Sequence, residues 1–224
     1  DRCNIDYVKN AHIDSNCSHE NIYLTCFKNK KMTFDEAERL VYKKLFGPGI
    51  MAQNARNEKR GHKKRNKTVE DVLRNPKTAP DEFIFQIGDA EVQEQWDLAT
   101  REKIEKILLQ AALSTAKSSR KERSGFRVID VAVHRDEAAV HLHMRGAYCA
   151  KDRYGYWMPR QRQALEEAGY MRPDLSRPIS RYNNSKITFT NYLREKFLEK
   201  ARELIALNDI DINIYDKMLL RYFL

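Results

Sequence analysis

Three histidines within ten residues constrain the fold of this chain more than any other feature. An apolar run at residues 128–134 ends in His134, and a second run opens with His141 and His143. Residues i and i+2 of a β-strand point to the same face, so His141 and His143 would lie side by side. The segment Asp-Glu-Ala-Ala at residues 136–139 would form the turn between two strands. We therefore predict a β-hairpin that brings His134 across to the other two histidines.

The same three histidines predict a metal site. Three neutral imidazoles can hold one divalent ion and leave positions open for water or a phosphate oxygen. The alternative is three unrelated surface histidines, but the whole chain has only six and half of them fall here. Imidazole suits zinc, manganese, iron, nickel and copper, so the spacing does not select the metal.

The net charge of the chain points to a polyanionic partner. Lysine and arginine number 41 against 32 acidic residues, which gives a net charge of +9 and a pI near 9.3. Such a surplus is typical of nucleic-acid-binding proteins, although a generic basic surface would also produce it. Seven of the seventeen residues at 51–67 are basic, so this segment is either a solvated loop or an arm that lies along phosphates. The predicted phosphate contacts in it are Arg56, Lys63, Lys64 and Arg65.

Apolar periodicity predicts the secondary structure of an α/β protein of the α+β type. We expect a central antiparallel sheet with helices packed on the outside. The predicted strands lie at residues 22–27, 82–88, 128–134 and 141–148. The predicted helices run from a capping box at Thr33 to Gly47-Pro48, and over residues 68–73, 91–117, 160–168 and 185–207.

The loop at residues 172–184 is the second candidate contact with nucleic acid. It is rich in arginine and amide side chains and has no pattern of a regular element. Its side chains Arg181, Asn183 and Asn184 can donate hydrogen bonds to base edges, so we predict that they read the sequence of a bound strand.

The cysteines and the apolar runs bear on the cellular compartment. No run approaches 18 apolar residues, and the chain does not open with a signal peptide. The four cysteines form no CxxC pair, which favours reduced thiols in the cytoplasm over disulfides. They are Cys3, Cys17, Cys26 and Cys149.

Two stretches resemble a known family. His134-Arg-Asp-Glu137, followed by His141-Leu-His143, resembles the HxDE…HxH motif of the MobV-type plasmid mobilisation relaxases. These are also called plasmid recombination (Pre/Mob) enzymes, and they belong to the HUH endonucleases. His12-Ile-Asp14 with Ser18-His-Glu-Asn21 is similar to the family's N-terminal motif, an Asn-x-Asp followed by Ser-x-x-Asn. The resemblance covers most of residues 1–207, which we predict to be the nicking domain.

The resemblance implies a fold and an activity. Members of the family place the HUH hairpin at the centre of an antiparallel sheet. They cut one strand of DNA at a plasmid or mobile-element transfer origin and stay covalently attached to its 5′ end. A divalent metal, here expected to be manganese or magnesium, binds the scissile phosphate. The implied partners are single-stranded origin DNA and other relaxosome or conjugation proteins, with no membrane.

The resemblance also assigns residues. Glu137 is expected beside the metal, where it would orient a histidine or act as a base, and Asn21 is expected to contact DNA. The family's nucleophile is usually a histidine in a His-Asn-x-Arg segment, and Asp1-Arg2 matches the tail of that segment. We therefore expect Arg2 to belong to the catalytic site and the nucleophilic histidine to precede residue 1. The fallback nucleophile is Tyr7, and the other candidates are Tyr23 and His12.

Other interpretations remain open at this point. A replication initiator or transposase would use the same HUH chemistry. A nucleic-acid-binding module with a structural metal would need a closed site, with a fourth ligand from Cys149 or Glu137. A hydrolase of small molecules does not explain the net charge of +9. Residues 208–224 end in a strongly apolar segment, which we predict to be the start of a C-terminal extension or a terminal helix.

Overall fold

A computed structural model describes residues 18–27, 32–121, 125–210 and 218–221 of the chain. The residues singled out above at positions 1–17 lie outside these ranges, so the predictions about them stay predictions. They are Asp1, Arg2, Cys3, Tyr7, His12, Asp14 and Cys17.

The strands form a five-stranded antiparallel sheet with the order β1-β3-β4-β2-β7. Its members are β1 (Ile22–Thr25), β2 (Asp81–Ile87), β3 (Phe126–His134), β4 (His141–Tyr148) and β7 (Met218–Arg221). Two further strands, β5 (Ala150–Lys151) and β6 (Trp157–Met158), pair with each other. The helices are α1 (Phe34–Lys59), α2 (Val69–Arg74), α3 (Ala90–Glu94), α4 (Leu98–Lys121), α5 (Gln161–Glu167) and α6 (Ser185–Leu207). The predicted combination of helices with an antiparallel sheet is confirmed.

One face of the sheet carries the main hydrophobic core. Val131 and Val133 of β3 and Leu142 and Met144 of β4 alternate with polar residues and pack, on this face, with α4 and α6. The pairing of β3 with β4 shifts between residues 128 and 130. This irregularity lets Phe126 join the same core although the simple alternation would turn it away.

Among the described residues, α1 packs its apolar side chains on the opposite face of the sheet at one end. Ile129, Ala147 and Cys149 pack there against Tyr42 and Phe46 of the helix. The three histidines belong to the same face but lie at the other end of the hairpin, where β3 stops and β4 begins. The sheet therefore has a helix-covered end and a histidine end.

The prediction that α1 ends at Gly47-Pro48 is wrong. The capping box of Thr33 and Glu36 forms as expected, but the helix continues to Lys59 with Pro48 inside it. A proline in a helix interior lowers helix stability by about 3 kcal/mol. The proline ring also clashes with the Cβ atom of the preceding residue, a clash that Gly47 avoids because it has no side chain. Burial of Phe46 and Ile50 on either side outweighs that cost.

The continuation of α1 also changes the predicted basic arm. Residues 51–59 are helical, and residues 63–65 form a short 3-10 turn, so the segment is not an irregular loop. The long helix predicted over residues 91–117 is likewise interrupted, because α3 ends at Glu94 and α4 starts at Leu98. Asp97 accepts a hydrogen bond from the Thr100 amide and so starts α4 as a new helix.

The C-terminal residues pair with the sheet. The backbone of Met218–Arg221 is a strand beside β2, so the terminal helix that was one prediction for this region does not form over these four residues. Helix α6 spans Ser185–Leu207 as predicted, and the proposed domain boundary after residue 207 stays a prediction.

None of the helices in the described ranges combines the length and the apolar character needed to cross a lipid bilayer.

Candidate metal centre

The predicted histidine hairpin forms, and its three rings meet on one face. In the pairing of β3 with β4, His134 lies opposite His141, and His143 lies opposite Ala132. The ring of His134 lies 5.3 Å from that of His141 and 4.7 Å from that of His143, centroid to centroid. The rings of His141 and His143 lie 4.9 Å apart. The spacing of two on β4 and the turn before it together produce this cluster.

The three imidazoles offer ligand atoms that lie within 4.8 Å of one another, which is compatible with a single metal ion. His141 is already oriented for that purpose, because its Nδ1 atom lies 2.8 Å from the carbonyl oxygen of Ala139. A carbonyl oxygen can only accept, so Nδ1 carries the proton and Nε2 keeps its lone pair for a ligand. Metal-binding histidines are commonly held in this way.

His143 is oriented by an acid that the sequence analysis missed. Its Nδ1 atom lies 2.9 Å from Oε1 of Glu82 on β2. Burial favours the protonated acid, but the hydrogen bond from His143 and the charge of Arg145 outweigh it and lower the pKa of Glu82. The ionised carboxylate therefore accepts from Nδ1 and leaves Nε2 of His143 for a metal. Glu82 lies 61 positions from His143 along the chain, so only strand pairing reveals the contact.

Glu137 lies where the resemblance placed it, beside the histidines. Its Oε1 atom is 3.5 Å from Nδ1 of His134 and 3.8 Å from Nε2 of His141. Asp136 approaches His134 as well, at 3.9 Å, and its carboxylate is buried. With His134, these two acids form a second group that can hold a metal ion.

The electrostatics of the cluster suit a divalent cation. Burial lowers the pKa of His141, which keeps its imidazole in the neutral form that binds metals. Three carboxylates, those of Glu82, Asp136 and Glu137, surround three imidazoles. A cation bound among them would balance the negative charge of the carboxylates, so the residues present fit a divalent metal.

A buried ion-pair network lies between the histidine cluster and helix α1. Arg145 follows His143 by two positions on the same strand and lies 2.7 Å from Asp130 and 3.2 Å from Glu38. Its guanidinium also stacks 4.6 Å above the ring of Phe34. Burial raises the pKa of Asp130 and the hydrogen bond from Arg145 offsets part of that effect. These contacts tie β4 to α1 next to the histidines.

The first strand supplies the remaining polar wall of the centre. Oδ1 of Asn21 accepts a hydrogen bond of 2.7 Å from the Arg135 amide, so Asn21 holds the hairpin turn. The amide of Asn21 also donates to the hydroxyl of Tyr23 at 3.2 Å. The Tyr23 ring stands edge-on to His134 with centroids 6.5 Å apart, and the residue is 44% exposed. Of the candidate nucleophiles within the chain, Tyr23 is the one that the described residues place beside the centre.

The predicted contacts in the basic segment lie away from the histidines. Arg56 points from α1 to Asp152, at 3.4 Å, and stacks over the ring of Tyr154. The side chains of the 3-10 turn, Lys63, Lys64 and Arg65, are exposed and form no ion pair within the described part of the chain. Both groups lie beyond the helix-covered end of the sheet, and their contact with DNA stays a prediction.

Two residues that were predicted to contact DNA form hydrogen bonds within or next to their own loop at residues 172–184. Asn183 is buried, accepts from the Asp174 amide at 2.9 Å and donates to the Asp174 carbonyl at 2.8 Å. Asn184 caps α6 by accepting from the amides of Lys186 and Ile187. The predicted base contacts of these asparagines remain untested, but their amide groups already have partners.

Arg181 differs from its neighbours in the loop. It is exposed, and its guanidinium stacks 4.5 Å from the ring centroid of Tyr182, which is itself 70% exposed. Of the three predicted contacts in this loop, Arg181 is therefore the one that a nucleic acid can reach directly.

Comparisons of the chain with protein-family models, curated proteins and solved structures find no match.

Proposed function

We propose that the protein is a metal-dependent relaxase. It would nick one DNA strand at a plasmid or mobile-element transfer origin and remain covalently linked to the 5′ end. The observation that carries the proposal is the histidine hairpin, in which Ala139 and Glu82 leave the Nε2 atoms of His141 and His143 available to one metal ion. The resemblance of this hairpin to the MobV motif selects the reaction among those that such a centre supports.

The accessibility of the centre supports a catalytic rather than a structural metal. The side chains of His143 and Glu137 are each 19% exposed, so a substrate oxygen has an approach to the cluster. A closed structural site would need a fourth protein ligand. Of the two candidates for that role, Cys149 follows the other end of β4 and donates to the Ala147 carbonyl. The other candidate, Glu137, lies 3.5 Å from His134 and 3.8 Å from His141, and we assign it to the substrate rather than to the metal because its side chain is partly exposed.

The proposed reaction exchanges a phosphodiester bond of the strand for a bond between phosphorus and the protein. A bound metal would withdraw charge from the scissile phosphate. A nucleophilic side chain forms a bond to phosphorus, and the bond from phosphorus to the 3′ oxygen breaks. Glu137 would take the proton of the nucleophile, and the leaving oxygen gains a proton to become the 3′-OH. No bond is hydrolysed, so the phosphodiester energy is kept for rejoining the strand.

Glu137→Gln tests the proposal. The protein, with any residues that precede Asp1 in its natural form, is incubated with Mn²⁺ and supercoiled DNA that carries its own gene and flanking sequence. Nicked circles and protein attached to 5′ ends are measured. Because general base catalysis is worth about 10²–10⁴ in rate, we expect Glu137→Gln to nick slower by that factor while binding DNA as before.

Glu94→Gln on the exposed side of α3 is the matched control and should nick at the wild-type rate. Wild-type protein that leaves no covalent adduct on any of this DNA contradicts the relaxase proposal. Equal nicking by the Glu137→Gln and wild-type proteins contradicts the role of the acid.

A further inference from the structure

A short hairpin far from the metal centre presents two tyrosines to solvent. Tyr154 is 48% exposed and Tyr156 is 39% exposed, on either side of Gly155 at the tip between β5 and β6. We call residues 150–158 the aromatic hairpin. None of the residues predicted to bind metal or DNA lies in it, so the proposed function does not account for these rings.

The aromatic hairpin is a rigid support. Oδ1 of Asp152 accepts hydrogen bonds from the amides of Tyr154 and Tyr156, at 2.9 and 3.0 Å. The strand β6 lies so close to α1 that a Cβ atom on Gly49 would stand 2.9 Å from the Trp157 carbonyl oxygen. The backbone that carries the two rings is therefore held in place before any ligand arrives, which lowers the entropy lost on binding.

Cations stack on the rings of the aromatic hairpin. The guanidinium of Arg56 lies 4.1 Å from the Tyr154 centroid, and that of Arg153 lies 4.8 Å from it. Lys151 lies 5.2 Å from the Trp157 centroid. Proteins that bind single-stranded nucleic acids combine aromatic rings, on which bases stack, with arginine and lysine side chains that follow the phosphates.

Most of the net charge of the protein falls in two segments of the chain, one of which contains the aromatic hairpin. Residues 56–67, which we call the basic segment, and residues 150–160 together contain ten lysines and arginines against two acids, Glu58 and Asp152. Their net charge of +8 compares with +9 for the whole chain. Arg56 joins the two segments through its contacts with Asp152 and Tyr154. These two segments, which meet at Arg56, therefore carry most of the charge that indicates a polyanionic partner.

We infer that the aromatic hairpin and the basic segment form a second binding surface, for single-stranded DNA. On binding, Arg56 and Arg153 turn from the Tyr154 ring to phosphates, so that bases stack on Tyr154 and Tyr156 while the rest of the basic segment holds further phosphates. The surface lies at the far end of β4 from His141, up to roughly 30 Å away at about 3.3 Å per residue. It therefore grips the strand at a distance from the cleavage point. The identification of the strand as DNA rests on the proposed function.

A double variant tests the inference without any cleavage. Binding of fluorescent oligothymidine to Tyr154→Ala/Tyr156→Ala and to wild-type protein is followed by anisotropy, with EDTA present to exclude metal. Stacking is worth about 1–3 kcal/mol per base, so we expect the affinity to fall at least about tenfold. Tyr154→Phe/Tyr156→Phe keeps both rings and should bind like the wild type. Leu207→Ala, an exposed apolar residue of α6, is the control for a lost surface side chain.

Three outcomes overturn the inference. In the first, the alanine double variant binds oligothymidine as the wild type does. In the second, its affinities for oligothymidine and for duplex DNA fall equally, so that the surface recognises phosphates alone. In the third, the wild type prefers oligouridine to oligothymidine, which makes the ligand RNA. None of these measurements involves nicking. A protein that does not nick but loses oligothymidine binding in the alanine variant contradicts the relaxase proposal and leaves this surface standing.

Discussion

Glu82 shows how one residue outside the recognised motif positions the metal centre. His143 is the most exposed of the three histidines, with 19% of its side chain accessible, and Glu82 is the carboxylate that fixes its ring. Without that acid, the imidazole is free to rotate and to adopt the other tautomer. The acid would therefore act on a bound metal through the histidine that solvent reaches most easily.

We expect Glu82→Gln to weaken the binding of Mn²⁺ by about 10–100-fold, because the amide holds the His143 ring less firmly and makes it less basic. Isothermal titration of the metal-free protein with Mn²⁺ measures the change. Glu94→Gln should bind as the wild type does. Unchanged affinity in Glu82→Gln would mean that the ring of His143 is held by other contacts.

At the residue scale, local patterns predicted the ligands but not their supports. His134, His141 and His143 follow from a turn and a spacing of two, both of which lie within ten residues of sequence. Glu82 comes from another strand, and its role depends on the pairing of β2 with β4. The prediction that Asn183 binds DNA came from the composition of its loop. Composition does not tell whether an amide side chain points outward or donates to a backbone carbonyl, as that of Asn183 does.

Helix α1 shows that local sequence patterns also have a limit in predicting the length of a whole helix. The pair Gly47-Pro48 is a strong local signal for the end of a helix, yet the helix continues for eleven residues beyond Pro48. The signal was wrong because contacts from outside the helix decide the outcome. Tyr42, Phe46 and Ile50 bury their side chains against the sheet, and β6 packs closely on Gly49.

The packing of Gly49 gives a test of this explanation. A Cβ atom there would lie 2.6 Å from Sδ of Met158. We expect Gly49→Ala to lower the free energy of unfolding by about 1–3 kcal/mol, although alanine is the better helix former. Pro48→Ala, at an exposed position in the same turn, should instead raise it, since the helix regains a hydrogen bond. Urea denaturation measures both changes. A stabilised Gly49→Ala protein would show that β6 does not constrain the helix.

On the scale of the whole molecule, the two ends of the sheet carry opposite charge. Carboxylates surround the histidines, whereas the basic segment lies beyond the end that α1 covers. A single DNA strand that follows both ends would meet phosphate-holding cations at one and a metal at the other. This separation was not visible in the composition, which reports only the sum of +9.

Neutralising one turn of the basic segment tests this division. We expect Lys63→Ala/Lys64→Ala/Arg65→Ala to weaken binding to all single-stranded DNA sequences alike. It should also flatten the plot of log affinity against log salt by about 2, at roughly 0.7 for each lost phosphate contact. Anisotropy at several salt concentrations measures the slope. Arg101→Ala/Lys103→Ala/Lys106→Ala removes the same charge from the exposed side of α4 and is the matched control. Equal slopes in the two triple variants would assign the effect to net charge alone.

The position of β4 between β3 and β2 has a consequence for how the protein opens. The strand that carries His141 and His143 is hydrogen-bonded on both sides, whereas β1, with Tyr23, has four residues and pairs with β3 alone within the described ranges. Segments with fewer buried backbone hydrogen bonds detach at a lower free energy than the global unfolding of a protein. The amides of β1 should therefore exchange with deuterium well before those of β4. The strand with Tyr23 and the strand with His141 and His143 then belong to different cooperative units of unfolding. Strand β1 can detach and return, together with Tyr23, while the histidines stay assembled.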